Sequence, residues 1–237
     1  MDLKHFRRTV RNGFFIPTAV KQAWAAQLQV LDVIETICRK HDITYFADWG
    51  TILGTVRHGG YVPWDDDMDI CMKREDYTRF KEAAKTELPK DFRIHDYEHQ
   101  EDHWLFLSRV ANSVHINFEP EHMKQFHNFP YIAGIDIFVL DYLYKDEQQE
   151  KQRCEEVKHI IAVADSIIAG EIVQPVKEAN LIQLEEKYHK TFNRKLDNRH
   201  MGIELYRLAE EQMARVPKEE SDRMAQIFPW GLLGNRG

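Results

Sequence analysis

A mixed α+β fold, made of a small sheet flanked by helices and followed by a helical half, is what this sequence predicts. Two observations predict it. Short β-rich runs alternate with helix-period stretches as far as about residue 142. Beyond Asp141 the segments are highly charged, keep the helical period and carry no strand signal. The expected organisation is a catalytic core over residues 1–142 and a helical region over 143–237 packed on it.

Each element follows from local pattern. From Thr18, read as an N-cap, to Lys40, Val20, Trp24, Leu28, Leu31, Ile34 and Cys38 recur at three- and four-residue steps, as on an amphipathic helix. Ile43 to Ala47 reads as a strand, broken by Gly50-Thr51, and Ile52 to Val56 as a short helix. His58 to Pro63 holds two glycines and a proline, so it is a loop. Met68 to Met72 predicts a second strand. Arg74 to Glu87 carries Tyr77, Phe80 and Ala84 on one face and stops before Pro89, as a helix does. Phe92 to Tyr97, Trp104 to Val110, Val114 to Phe118 and Ile135 to Leu140 are four further expected strands. Helices are expected over 145–169, 176–192, 201–216 and 219–228. No repeat or low-complexity tract occurs.

Composition narrows the function. The chain has 237 residues, a net charge of −7, 43% apolar and 30% charged residues. That is globular composition. A chain without positive excess is a poor partner for nucleic-acid phosphates, so nucleic acid is not expected. The three cysteines, Cys38, Cys71 and Cys154, lie far apart and form neither a zinc ribbon nor a disulfide framework. No apolar run approaches the length that crosses a bilayer, and no secretory signal is read at the N-terminus, so a cytoplasmic location is expected. Arg7, Arg8 and Arg11 near Phe6, Phe14 and Phe15 read as a loosely held basic arm, with peripheral membrane proximity as the second reading.

Four carboxylates fall within five residues, at Asp65, Asp66, Asp67 and Asp69. Like charges this close repel unless a cation compensates them. If the segment from Asp67 is extended, Asp67 and Asp69 share a face, and Asp65 can join them. Asp66 is the least apt ligand. Asp136 stands alone in an apolar strand, where a carboxylate needs a partner or a metal; if that strand lies beside the first, Asp136 supplies a third carboxylate. Oxygen donors of this kind suit Mg²⁺ or Mn²⁺. Gly50-Thr51 adds a glycine turn that opens a helix, where backbone N–H groups approach a phosphate. Together these predict a divalent-metal site that supports transfer of a phosphorylated group. The competing calcium-loop reading fails at Ile70, where glycine is needed, and at Asp76, where glutamate is needed.

The stretch Tyr45 to Ile70 contains Gly50-Thr51-Ile52-Leu53-Gly54-Thr55-Val56-Arg57-His58 and Pro63-Trp64-Asp65-Asp66-Asp67-Met68-Asp69. With Arg74 to Tyr77 and Ile135 to Asp141, it resembles the LicD family signature. The resemblance covers about the first 140 residues and implies a nucleotidyltransferase-like fold related to fukutin proteins. It also implies a transferase that moves phosphocholine from a CDP-linked donor, CDP-choline above all. The acceptor would be a sugar hydroxyl of a teichoic acid, lipopolysaccharide or capsule precursor, in free or lipid-linked form. Relatives that move glycerol phosphate or ribitol phosphate supply the alternative donors, and a non-catalytic nucleotide- or glycan-binding protein is the alternative outside enzymes. The family's phenylalanine–glutamate and late tyrosine–glycine elements are not found before Gly237.

Carried over by residue, the resemblance implies Asp67, Asp69 and Asp136 as catalytic carboxylates and metal ligands, with Asp65 sharing the metal. Gly50 and Thr51 fit the phosphate-contacting turn. Arg57 and His58 are expected to hold the donor diphosphate, and Arg74 to neutralise phosphate. Trp64 is expected to brace the loop or stack on a base. Trp49, Tyr61 and Trp104 are weaker aromatic candidates for a choline cage. Arg109, a charge in an apolar strand, is expected either to face the cleft or to pair with an aspartate.

Overall fold

The computed structural model describes residues 6–98 and 106–227. The chain divides into two compact units, Met1–Val139 and Leu140–Gly237, with the division inside one strand. The fold is mixed α+β, as the sequence predicts.

In the first unit the strands are β1 (Thr9–Arg11), β2 (Phe14–Ile16), β3 (Tyr45–Ala47), β4 (Asp69–Lys73), β5 (Arg93–His95), β6 (Ser108–Ala111) and β7 (Gly134–Tyr142). The helices are α1 (Thr18–Lys40), α2 (Trp49–His58), α3 (Arg74–Glu87) and α4 (Pro120–Gln125). The main sheet has the order β3-β4-β7-β6-β5. Ile34 and Ile37 of α1 and Tyr77, Phe80 and Ala84 of α3 share one buried cluster with Ile70 and Met72 of β4 and Ile135, Ile137 and Val139 of β7. Because side chains alternate along a strand, Asp69 and Cys71 of β4 and Asp136 and Phe138 of β7 point to the opposite face. One face of the sheet is therefore core. The other carries the candidate chemistry.

Several expectations change. Helix α1 starts at Thr18, but Pro17 occupies its N-cap and no side chain caps it. Helix α2 begins at Trp49, three residues before the expected start, because the Asp48 side chain accepts a hydrogen bond from Trp49 N–H at 2.9 Å. The N-terminal arm is a hairpin: Val10 pairs with Phe15 and Arg11 with Phe14 across Asn12-Gly13. Both turn residues have positive φ, 51° and 80°, which is the geometry an Asn-Gly pair favours. Val114 to Phe118 forms no strand; Pro120 opens α4 instead, and Ser113 Oγ turns back onto His115 O at 2.9 Å. The strand expected from Trp104 is Ser108–Ala111, and Trp104 lies outside the described residues.

The second unit holds α5 (Glu147–Ile168), α6 (Gln174–Tyr188) and α7 (Asn198–Met213). Asp146 and Asp197 cap α5 and α7 by accepting from Gln149 and His200 N–H, both at 2.8 Å. Helices α5 and α7 touch so closely that a Cβ at Gly202 would meet Ile168 Cγ1 at 2.3 Å. Arg153 is fully buried between them. Its Nη1 donates to Tyr142 O and Met213 O, and its Nη2 to both Glu150 carboxylate oxygens, which satisfies a charge no core tolerates alone. The helix expected over 219–228 does not form. Pro217 introduces a 3-10 turn, Lys218–Glu220, and strand β8 (Met224–Ala225) then pairs with Tyr142 and Asp141. No helix among the described residues is long and apolar enough to cross a membrane.

Candidate functional site

The acidic segment lies between helix α2 and strand β4. Asp65 to Met68 is irregular rather than extended, and β4 begins only at Asp69. Two side chains of α1 fix it: Trp24 Nε1–H donates to Asp65 O at 2.8 Å and Gln27 Nε2–H to Asp66 O at 2.7 Å. Trp24 stacks on Tyr61, with ring centroids 4.8 Å apart. This curled path, unlike a strand, brings consecutive carboxylates together. One oxygen from each of Asp65, Asp66 and Asp67 lies within 4.8 Å of the others. Asp66, the least apt ligand by sequence, joins that group, while Asp69 and Asp136 stand outside it; the charge of Asp136 acts on Asp67, and the charges of Asp67 and Asp65 act on Asp69.

Electrostatics follow from this crowding. Burial, a hydrogen bond with Asp65 and the charges of Asp65, Asp66 and Asp136 push Asp67 up to about 6. Burial, then the charges of Asp67, Asp136, Asp65 and Asp48, push Asp69 up to about 7. Carboxyls that resist ionisation in this way gain from a cation among them. The donors are all oxygen, so the set fits a hard ion such as Mg²⁺ or Mn²⁺. The calcium-loop alternative has no structural footing. Ile70 is buried in β4, and Asp76 is a buried residue of α3 paired with Arg79.

Helix α2 meets this segment through its glycines. A Cβ at Gly50 would stand 2.2 Å from Asp65 Oδ2, so only glycine lets the helix approach the carboxylate. A Cβ at Gly54 would meet Gly60 O at 2.4 Å and Val62 N at 2.8 Å, where the following loop crosses the helix. That loop starts from Gly59, at φ 61°, and Gly60 N–H returns to Gly54 O at 3.3 Å. Thr51 Oγ1 accepts from Asp69 N–H at 2.8 Å, and Asp48 N–H donates to Asp69 O at 3.0 Å. The N–H groups of Gly50 and Thr51 lie in the first turn, where a helix offers them no partner. Gly50, Thr51, Asp65 and Asp67 line one cavity of about 240 Å³, whose walls are otherwise mostly apolar.

On the open sheet face, Arg109 and Asp136 are directly paired in register across β6 and β7. Arg109 Nε and Nη2 donate to the two Asp136 oxygens at 2.5 and 2.7 Å. Of the two expectations for Arg109, pairing with an aspartate is the observed one. Gly134 makes room for it, since a Cβ there would meet Arg109 Cδ at 2.9 Å. Phe138 lies beside Trp49, with ring centroids 6.0 Å apart.

Tyr61 lines the cavity, whereas Arg57, His58, Trp64 and Arg74 do not. His58 and Trp64 meet edge to face, and Trp64 likewise meets Phe14 of the hairpin, in both cases with centroids 6.0 Å apart. Arg11 donates to His58 O, and Asn12 Nδ2 lies 3.1 Å from His58 Nδ1. Trp64 thus joins the hairpin to the site loop. Arg57 is exposed in the last turn of α2, and Arg74 lies over the Tyr77 ring at the start of α3. Sequence reasoning assigned no role to Asp48, although the N-cap rule points to it. It also read Trp24 and Gln27 only as helix residues, because nothing local marks a side chain that reaches a loop some 40 positions away.

With this geometry in view, similarity to known proteins becomes informative. Residues 42–164 match the family model described as LicD/FKTN/FKRP, nucleotidyltransferase domain. The chain is 43% identical over 53 residues to the lipopolysaccharide cholinephosphotransferase LicD of Haemophilus influenzae, a match that spans 22% of this chain and 20% of that protein. It is 39% identical over 54 residues to an uncharacterised protein of Rickettsia typhi, across 23% of this chain and 18% of the relative. An uncharacterised protein of Rickettsia prowazekii matches at 42% over 48 residues, across 20% and 18%. The chain therefore spans about a fifth of the length of the curated relatives it matches. The family model covers more than half of the 237 residues and runs from just before β3 into α5, so the chain belongs to the LicD/FKTN/FKRP nucleotidyltransferase-domain family.

Proposed function

We propose that this protein is a divalent-metal-dependent transferase that moves phosphocholine from CDP-choline to a sugar hydroxyl of a cell-surface glycan precursor and releases CMP. The observation that carries the transfer chemistry is the group of clustered carboxylates set against the first turn of α2. The choice of donor is supported by the likeness to the Haemophilus cholinephosphotransferase. Asp65 and Asp67, with Asp69 and Asp136 behind them, would hold Mg²⁺ or Mn²⁺. When bound, the ion neutralises the donor diphosphate and stabilises charge that develops there.

The other roles belong to the chain. The first-turn N–H groups of Gly50 and Thr51 bind a donor phosphate oxygen. Arg57, His58 and Arg74 add positive charge on the donor side. Asp136, oriented by the Arg109 fork, takes the proton of the acceptor hydroxyl. The hydroxyl oxygen then bonds to the choline-bearing phosphorus as its bond to the CMP oxygen breaks. The products are a phosphocholine ester and CMP.

The test incubates purified protein with CDP-choline, Mg²⁺ and a glycan acceptor, and measures CMP release together with the mass of the product. Replacing Asp67 and Asp69 together by Asn is expected to lower the rate by more than about a hundredfold, since even outer-shell partners of metal ligands cost ten- to a hundredfold. Undiminished turnover in that double variant sinks the metal role. CDP-glycerol and CDP-ribitol tested in parallel decide the alcohol. A cytidylyl group on the acceptor would instead identify nucleotidyl transfer, and binding without turnover would identify a non-catalytic protein.

A further inference from the structure

Helix α2 turns its apolar stripe outward. Trp49, Ile52, Leu53 and Val56 follow the spacing of one helical face, and all four are exposed, whereas Gly54 is the only buried residue of the helix. In most helices such a stripe is core. Here it remains on the surface, and Val56 is 80% exposed.

The hairpin β1–β2 extends this surface. It is anchored to the last turn of α2 by the Arg11 bond to His58 O, the Asn12–His58 contact and the Phe14–Trp64 contact. Those contacts use the Arg11–Phe14 side of the hairpin. Val10 and Phe15, paired directly across the strands, lie on the other side and are exposed. Single exposed apolar residues are ordinary, but a stripe joined to an exposed apolar pair marks an interaction surface.

Charge indicates the occupant. The chain carries a net charge of −7, yet no acidic residue occurs from Phe6 to Leu31, while Arg7, Arg8 and Arg11 are exposed there and Arg57 is exposed in α2. Exposed apolar residues with exposed arginines near them in the chain, on an otherwise acidic protein, complement an anionic lipid headgroup layer. We propose that the hairpin and the outward face of α2 dock this protein on an anionic bilayer, with Val10, Phe15 and Val56 entering the interface and Arg7 and Arg8 meeting lipid phosphates. The same helix contributes Gly50 and Thr51 to the carboxylate cavity, so docking would hold that cavity near the lipid surface.

The test is co-sedimentation of the whole chain with vesicles of phosphatidylcholine alone and of equal parts phosphatidylcholine and phosphatidylglycerol. Binding is expected on the anionic vesicles, weakened by salt, and far weaker on the neutral ones. Arg7→Gln and Arg8→Gln are each expected to lower the partition by about fivefold, the effect of one basic residue beside an anionic surface. Val10→Glu with Phe15→Glu, and separately Val56→Gln, are expected to abolish or sharply reduce binding while the thermal midpoint and CMP release with a soluble acceptor stay unchanged. Three outcomes overturn the proposal: no binding to anionic vesicles, binding that survives both apolar variants, or lipid-free self-association that the same variants abolish. The last would assign the surface to a second copy of the chain.

Discussion

At Gly50 an added methyl group would displace a carboxylate, whereas at Gly54 it would strike backbone. The two glycines of one motif therefore fail differently. Gly50→Ala is expected to leave the thermal midpoint nearly unchanged, because the Asp65 side chain can swing away, but to reduce CMP release as strongly as loss of Asp65 does. Gly54→Ala is expected to destabilise the protein by about 1–3 kcal/mol, the usual cost of overpacking, because Gly60 O and Val62 N cannot retreat without moving the loop. Thermal melts beside activity assays separate the two. Equal destabilisation by both variants would contradict the contacts described. The glycines are legible in the sequence as a motif, but the reason for each depends on what crosses it.

Helix α1 is the element that shapes the acidic loop. Its period predicts a buried face, and Val30, Ile34 and Ile37 form one. The same helix also sends Trp24 and Gln27 to the carbonyls of Asp65 and Asp66. Trp24→Phe keeps most of the stacking on Tyr61 and removes only the donor. It is expected to cost about 1 kcal/mol, the net worth of one hydrogen bond, and to weaken Mg²⁺ binding measured by calorimetry. Gln27→Ala is expected to do the same at the neighbouring carbonyl. Unaltered ion affinity in both variants would mean that the loop holds its curl without α1. Helix α2 makes a related point. Its pattern is amphipathic, yet the stripe faces outward, which no periodicity can foretell.

For the whole molecule, the raised carboxyls couple stability to pH. Asp67 and Asp69 ionise at about 6 and about 7 in the folded chain, against 3.8 for an unperturbed aspartate. Between about pH 4 and 7 the unfolded chain has released protons that the folded chain keeps, so stability falls as pH rises through that window. Below about pH 4 both states hold the protons and the penalty vanishes. His122, whose pKa burial lowers, has the opposite slope near pH 6, so the comparison must be made against a variant. Chelator-treated protein is expected to lose thermal midpoint between pH 5 and 7.5 relative to an Asp69→Asn variant, and Mg²⁺ is expected to restore it. Parallel pH curves for the two proteins would show that Asp69 carries no such penalty.

Periodicity alone placed most elements, from α1, matched at both ends, through α3 to the three long helices after Asp141. Those signals are local, because burial of one face repeats every 3.6 or two residues whatever the neighbours are. Composition and spacing also singled out the aspartates, since four carboxylates in five residues need a physical reason. The tertiary structure decided what local pattern cannot carry. Val114 to Phe118 has strand-like residues but no strand partner, whereas Met224–Ala225 has little strand character and pairs with the end of β7. Likewise, only the fold curls Asp65 to Asp67 so that their oxygens converge, sets Asp136 against Arg109 across a strand pair, and leaves the stripe of α2 uncovered. Each of these depends on residues distant in the chain meeting in space, and a linear pattern holds no record of that meeting.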